Sequence, residues 1–149
     1  MAYKSKIFKI CDAIKDILEA SDFSDDITVD IKPSGNFEIK NEDGFEIYVY
    51  PMNSLYEPDT RTGYSNTQAF GVALSKSLPQ VTDTAVDDCV YMLENLIKEL
   101  CKNKNEFTIG SEKFMPLSVE NPDPYDEQII KKQRQYLSIS TVTYRIDVI

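Results

Sequence analysis

Apolar residues recur at three- and four-residue steps twice in the chain, and each run predicts a helix with one buried stripe. Across residues 84–102, TAVDDCVYMLENLIKELCK, the stripe is Val86, Cys89, Val90, Leu93, Leu96, Ile97 and Leu100. Thr82 or Thr84 is placed to cap this helix. Asp83, Asp87 and Asp88 lie at the positive end of its dipole, and Lys98, Lys102 and Lys104 gather at the negative end. Across residues 4–20 the stripe is Ile7, Ile10, Cys11, Ile14, Ile17 and Leu18, but here the charges oppose the dipole. Lys4, Lys6 and Lys9 come early; Asp16 and Glu19 come late. Either packing outweighs roughly a few tenths of a kcal/mol per charge, or the basic tip touches an acidic neighbour such as another copy of the chain.

Elsewhere the period is two, which predicts half-buried strands. Ile27, Val29 and Ile31 alternate with polar residues, then Phe37 and Ile39, then Phe45, Ile47 and Val49. Turn formers separate the runs, Pro33 to Gly35 and then NEDG at 41–44, so the three read as an antiparallel meander. Phe70, Val72 and Leu74 make a fourth strand before the central helix. Phe107 and Ile109 make a short one, and 114–119 another with Pro116 at its edge. The last run, YLSISTVTYRIDVI, changes phase: Leu137 and Ile139 are odd, whereas Val142, Tyr144, Ile146 and Val148 are even. A bulge near Ser140 and Thr141 would turn both sets to the core. The predicted fold is α+β: a mostly antiparallel sheet with an N-terminal helix and a central amphipathic helix packed on it. A chain of 149 residues fits this as one domain, 1–149.

Two stretches, 51–68 and 120–135, keep neither period and read as polar loops. Loops of that length inside a compact domain are usually functional or disordered. Tyr56, Arg61 and Tyr64 in the first, with Tyr125 and Arg134 in the second, are residue types favoured as interface anchors, and they are the candidate subunit-contact residues.

Composition narrows the function by exclusion. No apolar run approaches the roughly 20 residues of a membrane helix. MAYKSKIFKI lacks the apolar core of a signal peptide, so a cytosolic product is expected, with no membrane partner. Cys11, Cys89 and Cys101 fall on helix faces without CxxC spacing and read as buried structural thiols. With no histidine, the commonest general base and most zinc chemistry are missing. No GxxxxGK[ST], GxGxxG or GxSxG occurs. NEDG fails the calcium-loop spacing at its first ligand, where Ile39 stands. The acidic pairs Asp25–Asp26, Asp87–Asp88 and Asp123–Asp126 read as solvated faces. No catalytic residue, metal or cofactor is therefore expected. A net charge of −9 argues against static nucleic-acid binding, yet it suits a surface past which DNA must slide.

The order of elements carries a resemblance. An N-terminal helix precedes a meander ending in FEIYVYP (45–51) and a long polar excursion. A core strand then feeds the capped helix, a short FTIG strand, and a terminal SISTVTYRIDVI strand. This resembles the tail terminator and tail completion proteins of long-tailed bacteriophages, which are similar in length. The resemblance implies a non-enzymatic virion protein that assembles in the host bacterial cytoplasm. It implies a ring of identical copies, a hexamer, at the head–tail junction. There it would stop the growth of the tail-tube protein and present a face to the head connector or stopper protein, with DNA passing through its lumen. The alternatives are another neck or head-completion ring, a small cytosolic protein-binding module, and a hydrolase working with carboxylates alone.

Overall fold

The computed structural model describes residues 3–23, 27–32, 44–59, 63–102 and 106–148, with backbone alone at 59, 63–65, 147 and 148. Its elements in chain order are α1 (Lys6–Ala20), β1 (Ile27–Ile31), β2 (Phe45–Asp59), β3 (Gly63–Ser77), α2 (Asp83–Leu100), β4 (Phe107–Ile109), β5 (Glu112–Glu120), α3 (Glu127–Gln133) and β6 (Gln135–Val148). The six strands form one sheet in the order β1-β2-β3-β6-β5-β4. The protein is α+β, with the N-terminal and central helices packed on a mostly antiparallel sheet.

Both long helices start where their sequences direct. Ser5 Oγ accepts from the Phe8 amide to begin α1, and Thr82 Oγ1 accepts from the Ala85 amide to begin α2. Ile10, Cys11, Ile14 and Leu18 of α1 are buried, as are Cys89, Met92, Leu93, Leu96 and Leu100 of α2. They meet Ile47 and Val49 of β2, Phe70, Val72 and Leu74 of β3, Phe114 of β5, and Tyr136, Val142 and Tyr144 of β6 in one core. Across that core Tyr144 packs edge-on to Phe70 and Phe107, with ring centres 6.3 and 5.3 Å apart. Burial, with a smaller push from the neighbouring Asp12 carboxylate, raises the Cys11 thiol to about 12, and burial raises the Tyr136 and Tyr144 hydroxyls above their ordinary value.

Four sequence expectations are corrected. First, β1 pairs with β2 in parallel, Ile27 opposite Phe45 and Ile31 opposite Val49, so they are not part of an antiparallel meander. Alternation fixes which face is buried but not strand direction, and the connection 32–44 has the dozen or so residues a parallel crossover needs. The expected strand at Phe37 and Ile39 and most of the NEDG turn lie outside the described residues.

Second, residues 51–68 are not an irregular loop. Pro51 to Asp59 continue β2, and Gly63 to Gln68 open β3. The pairing runs from Glu46 opposite Ser75 out to Asp59 opposite Gly63, with one register shift between Pro51 and Asn53. Asn, Ser and Pro are poor strand formers, but cross-strand pairing outweighs propensity. The prolines are tolerated on a strand that has no β1 partner beyond Val49.

Third, β6 carries no bulge towards β3, since the register is unbroken from Asn66 opposite Ile146 to Ser77 opposite Gln135. The even residues face the helices throughout. Ser138 and Ser140 therefore take core positions, 1% and 0% exposed, while Leu137 and Ile139 sit half-buried on the other face. Asn121 makes this possible. Its amide nitrogen donates to Ser138 Oγ at 2.9 Å, Ser140 Oγ at 3.1 Å and the Ile139 carbonyl at 3.2 Å. The shift lies on β5 instead, between Pro116 and Ser118.

Fourth, Cys11 and Cys89 are buried and outside any disulfide, but Cys101 ends α2 and is exposed. The stripe stops one residue short of it, at Leu100.

Candidate functional site

The strand ladder sorts the candidate contact residues into two groups. Tyr56 lies opposite Asn66, which lies opposite Ile146 near the end of β6. Arg134 immediately precedes Gln135, the first residue of β6. The rise of about 3.3 Å per residue puts these two ends on the order of 35 Å apart.

At the first end β2 and β3 form a two-stranded arm. β1 stops pairing at Val49 and β6 starts at Asn66, so the outermost pairs, Glu57–Ser65 to Asp59–Gly63, have only each other among the described residues. Residues 52–58 are all exposed, with Met52 at 48%, Leu55 at 51% and Tyr56 at 51%. Gln68 Nε2 donates to the Tyr56 hydroxyl at 3.2 Å, which holds that ring on the helix-bearing face of the sheet. Tyr64 is a β3 residue opposite Pro58; Arg61 lies outside the described residues.

The second end is built by α3 and the start of α2. Asp126 caps α3, its carboxylate accepting from the amides of Gln128 and Ile129 at 2.9 and 3.3 Å. Arg134 closes it in the left-handed conformation, φ 50°. The carbonyl of Arg134 accepts from the Leu78 amide at 2.8 Å, and its guanidinium donates to the Pro79 carbonyl at 3.4 Å. Arg134 thus ties the β3–α2 connection to the α3–β6 connection, a structural duty the sequence pattern did not reveal.

Beside it runs a groove of 520 Å³ whose walls include Val81, Val86, Val90, Ile130 and Tyr125. Val81 is 44% and Tyr125 54% exposed, so apolar surface faces solvent here. Asp83, Asp87, Glu127 and Lys131 rim it, three carboxylates against one ammonium. Lys131 bonds Glu127 at 2.6 Å; this contact holds the Glu127 carboxyl below its usual range and pushes Lys131 up. Val86 and Val90 pack against the core as the stripe predicts, but the apolar arc of α2 is wider than the sheet covers, and they stay partly open.

The non-helical face of the sheet holds a polar contact between the Tyr48 hydroxyl and the buried Glu46 carboxylate. Among the described residues, no three or more Cys, Asp or Glu side chains gather as metal ligands would. No helix there is long and apolar enough to cross a membrane. Compared with known protein families and with curated proteins, the chain matches none.

Proposed function

We propose that this chain is a non-enzymatic structural protein of a bacteriophage virion, forming a ring of identical copies at the head–tail junction. In this reading the ring, a hexamer, caps the tail tube, contacts the tail-tube protein on one side and the head connector or stopper protein on the other, and is built into the virion in the host bacterial cytoplasm. The observation that supports it best is the presence of two unlike exposed surfaces at opposite ends of one sheet, the arm bearing Met52, Leu55 and Tyr56 and the groove beside Tyr125. Ring closure requires heterologous contact between two different patches of each subunit. A net charge of −9 suits a lumen that DNA crosses without being held.

A second reading, a small protein-binding module, draws on the same apolar, acid-rimmed groove. Stoichiometry separates the two. Negative-stain microscopy of the purified chain, alone and mixed with isolated phage tails, should show closed rings or density capping one tail end. Particles that stay small and never decorate a tail would favour the module.

A further inference from the structure

The start of α1 has an unexplained charge pattern. Its first turn holds no acidic residue, although an acidic residue there would favour the helix. Lys6 is tied to Glu112 at 3.1 Å, while Lys4 and Lys9 are exposed and have no ion-pair partner among the described residues. Beside them in the chain Tyr3 and Phe8 stack, ring centres 5.5 Å apart, so the tip is both basic and apolar. The groove of α2 and α3 is its complement: an apolar wall of Val81, Val86 and Tyr125 under Asp83 and Asp87, neither of which has an ion-pair partner among the described residues.

The two cannot meet within one chain. Lys6 sits on Glu112, which pairs with Val148 at the end of β6, whereas the groove adjoins α3, just before β6 begins. A strand of that length holds them on the order of 40 Å apart.

We infer that the α1 tip of one copy docks in the acid-rimmed groove of the next copy, Lys4 and Lys9 against Asp83 and Asp87, with the Tyr3–Phe8 stack on the valine wall. The contact is heterologous, so it propagates from copy to copy and closes when the rotation allows. It rests on the self-assembly part of the ring reading and names the surfaces used. It also accounts for the reversed helix charges, whose unfavourable dipole energy is offset in the assembled state.

The test uses two charge-reversed chains, Lys4→Glu/Lys9→Glu and Asp83→Lys/Asp87→Lys, checked for folding by circular dichroism. Sedimentation over a concentration series should show each self-associating about tenfold or more weakly than the parent. An equal mixture should regain parental association, because each reversed tip then meets a reversed groove. A variant that had merely misfolded would not be rescued by mixing. Carbodiimide cross-linking of isotope-mixed parent chains should join Lys4 or Lys9 of one copy to Asp83 or Asp87 of another. Self-association untouched by either variant, without those cross-links, overturns the contact but leaves the ring to other surfaces. Absence of both association and cross-links also overturns it, and the ring reading then stands or falls on tail decoration. Cross-links in an assembly that stops at two copies uphold the contact and sink the ring.

Discussion

The ring of Tyr50 lies against the backbone of Gly71, its cross-strand partner. A Cβ placed on Gly71 would be 2.2 Å from Tyr50 Cζ and 2.6 Å from both Cε atoms. Gly71 is therefore glycine for space, in the middle of the central strand β3. Gly71→Ala should lower unfolding stability by about 1–3 kcal/mol in urea titration. In a Tyr50→Ala background the same change should cost much less, because the clash has been removed. Equal losses in both backgrounds would show that the ring is not what excludes a side chain.

Asn121 governs the phase of the last strand. Asn121→Ala leaves the two buried serine hydroxyls and a carbonyl without their donor, and should cost about 1–3 kcal/mol. Repeating the change in a Ser138→Ala/Ser140→Ala chain should shrink that penalty, since the polar groups it served are gone. Thermal melts of the four proteins complete the cycle.

Two amides at the base of the arm predict the opposite sign. Asn66 is 3% and Gln68 1% exposed, yet both side-chain polar atoms of Asn66 and the carbonyl oxygen of Gln68 lack a hydrogen-bond partner among the described residues. A buried unpaired amide destabilises the fold. Asn66→Val keeps strand shape and removes the amide, so it should raise stability by about 1–2 kcal/mol. A fall in melting temperature would mean that the amide is satisfied in solution.

Alkaline pH should unfold the protein. Cys11 rises from 9.0 to about 12 on folding, and Tyr50, Tyr136 and Tyr144 are raised from 10.0, all chiefly by burial. The folded state thus holds these protons more tightly than the unfolded chain. Their stabilising contribution is complete below pH 9.0 and declines as pH climbs towards 12 and beyond. Tyrosinate absorbance from Tyr136 and Tyr144 should rise only together with loss of circular dichroism. A rise with the far-ultraviolet signal intact would contradict the burial.

Helical periodicity was the most legible signal, because a stripe repeated over 15 or 18 residues has one geometric solution. Both helices appear within two residues of their expected starts. Strand direction was not legible: Ile27, Val29 and Ile31 alternate identically for parallel and antiparallel neighbours. The arm was missed because PMNSLYEPD and GYSNTQ have turn-forming composition, and only pairing over distance makes them strands. The bulge expected at Ser140 failed for a related reason. Serine reads as a surface residue unless the donor that buries it, seventeen or more positions away at Asn121, is known. Of the contact candidates, Tyr56 and Tyr125 are exposed, while Arg134 is committed to closing α3.

The place of β6 between β3 and β5 shapes how the sheet can come together. This strand is the latest of the six in chain order, yet it is interior, pairing on one side with residues about seventy positions earlier. Until it arrives, β1-β2-β3 and β5-β4 are separate pieces with unpaired edges facing each other. Such long loop closure places the protein among slow folders, on the order of milliseconds to seconds. The early strands must therefore wait as exposed templates, open to pairing with a second chain before their own last strand inserts.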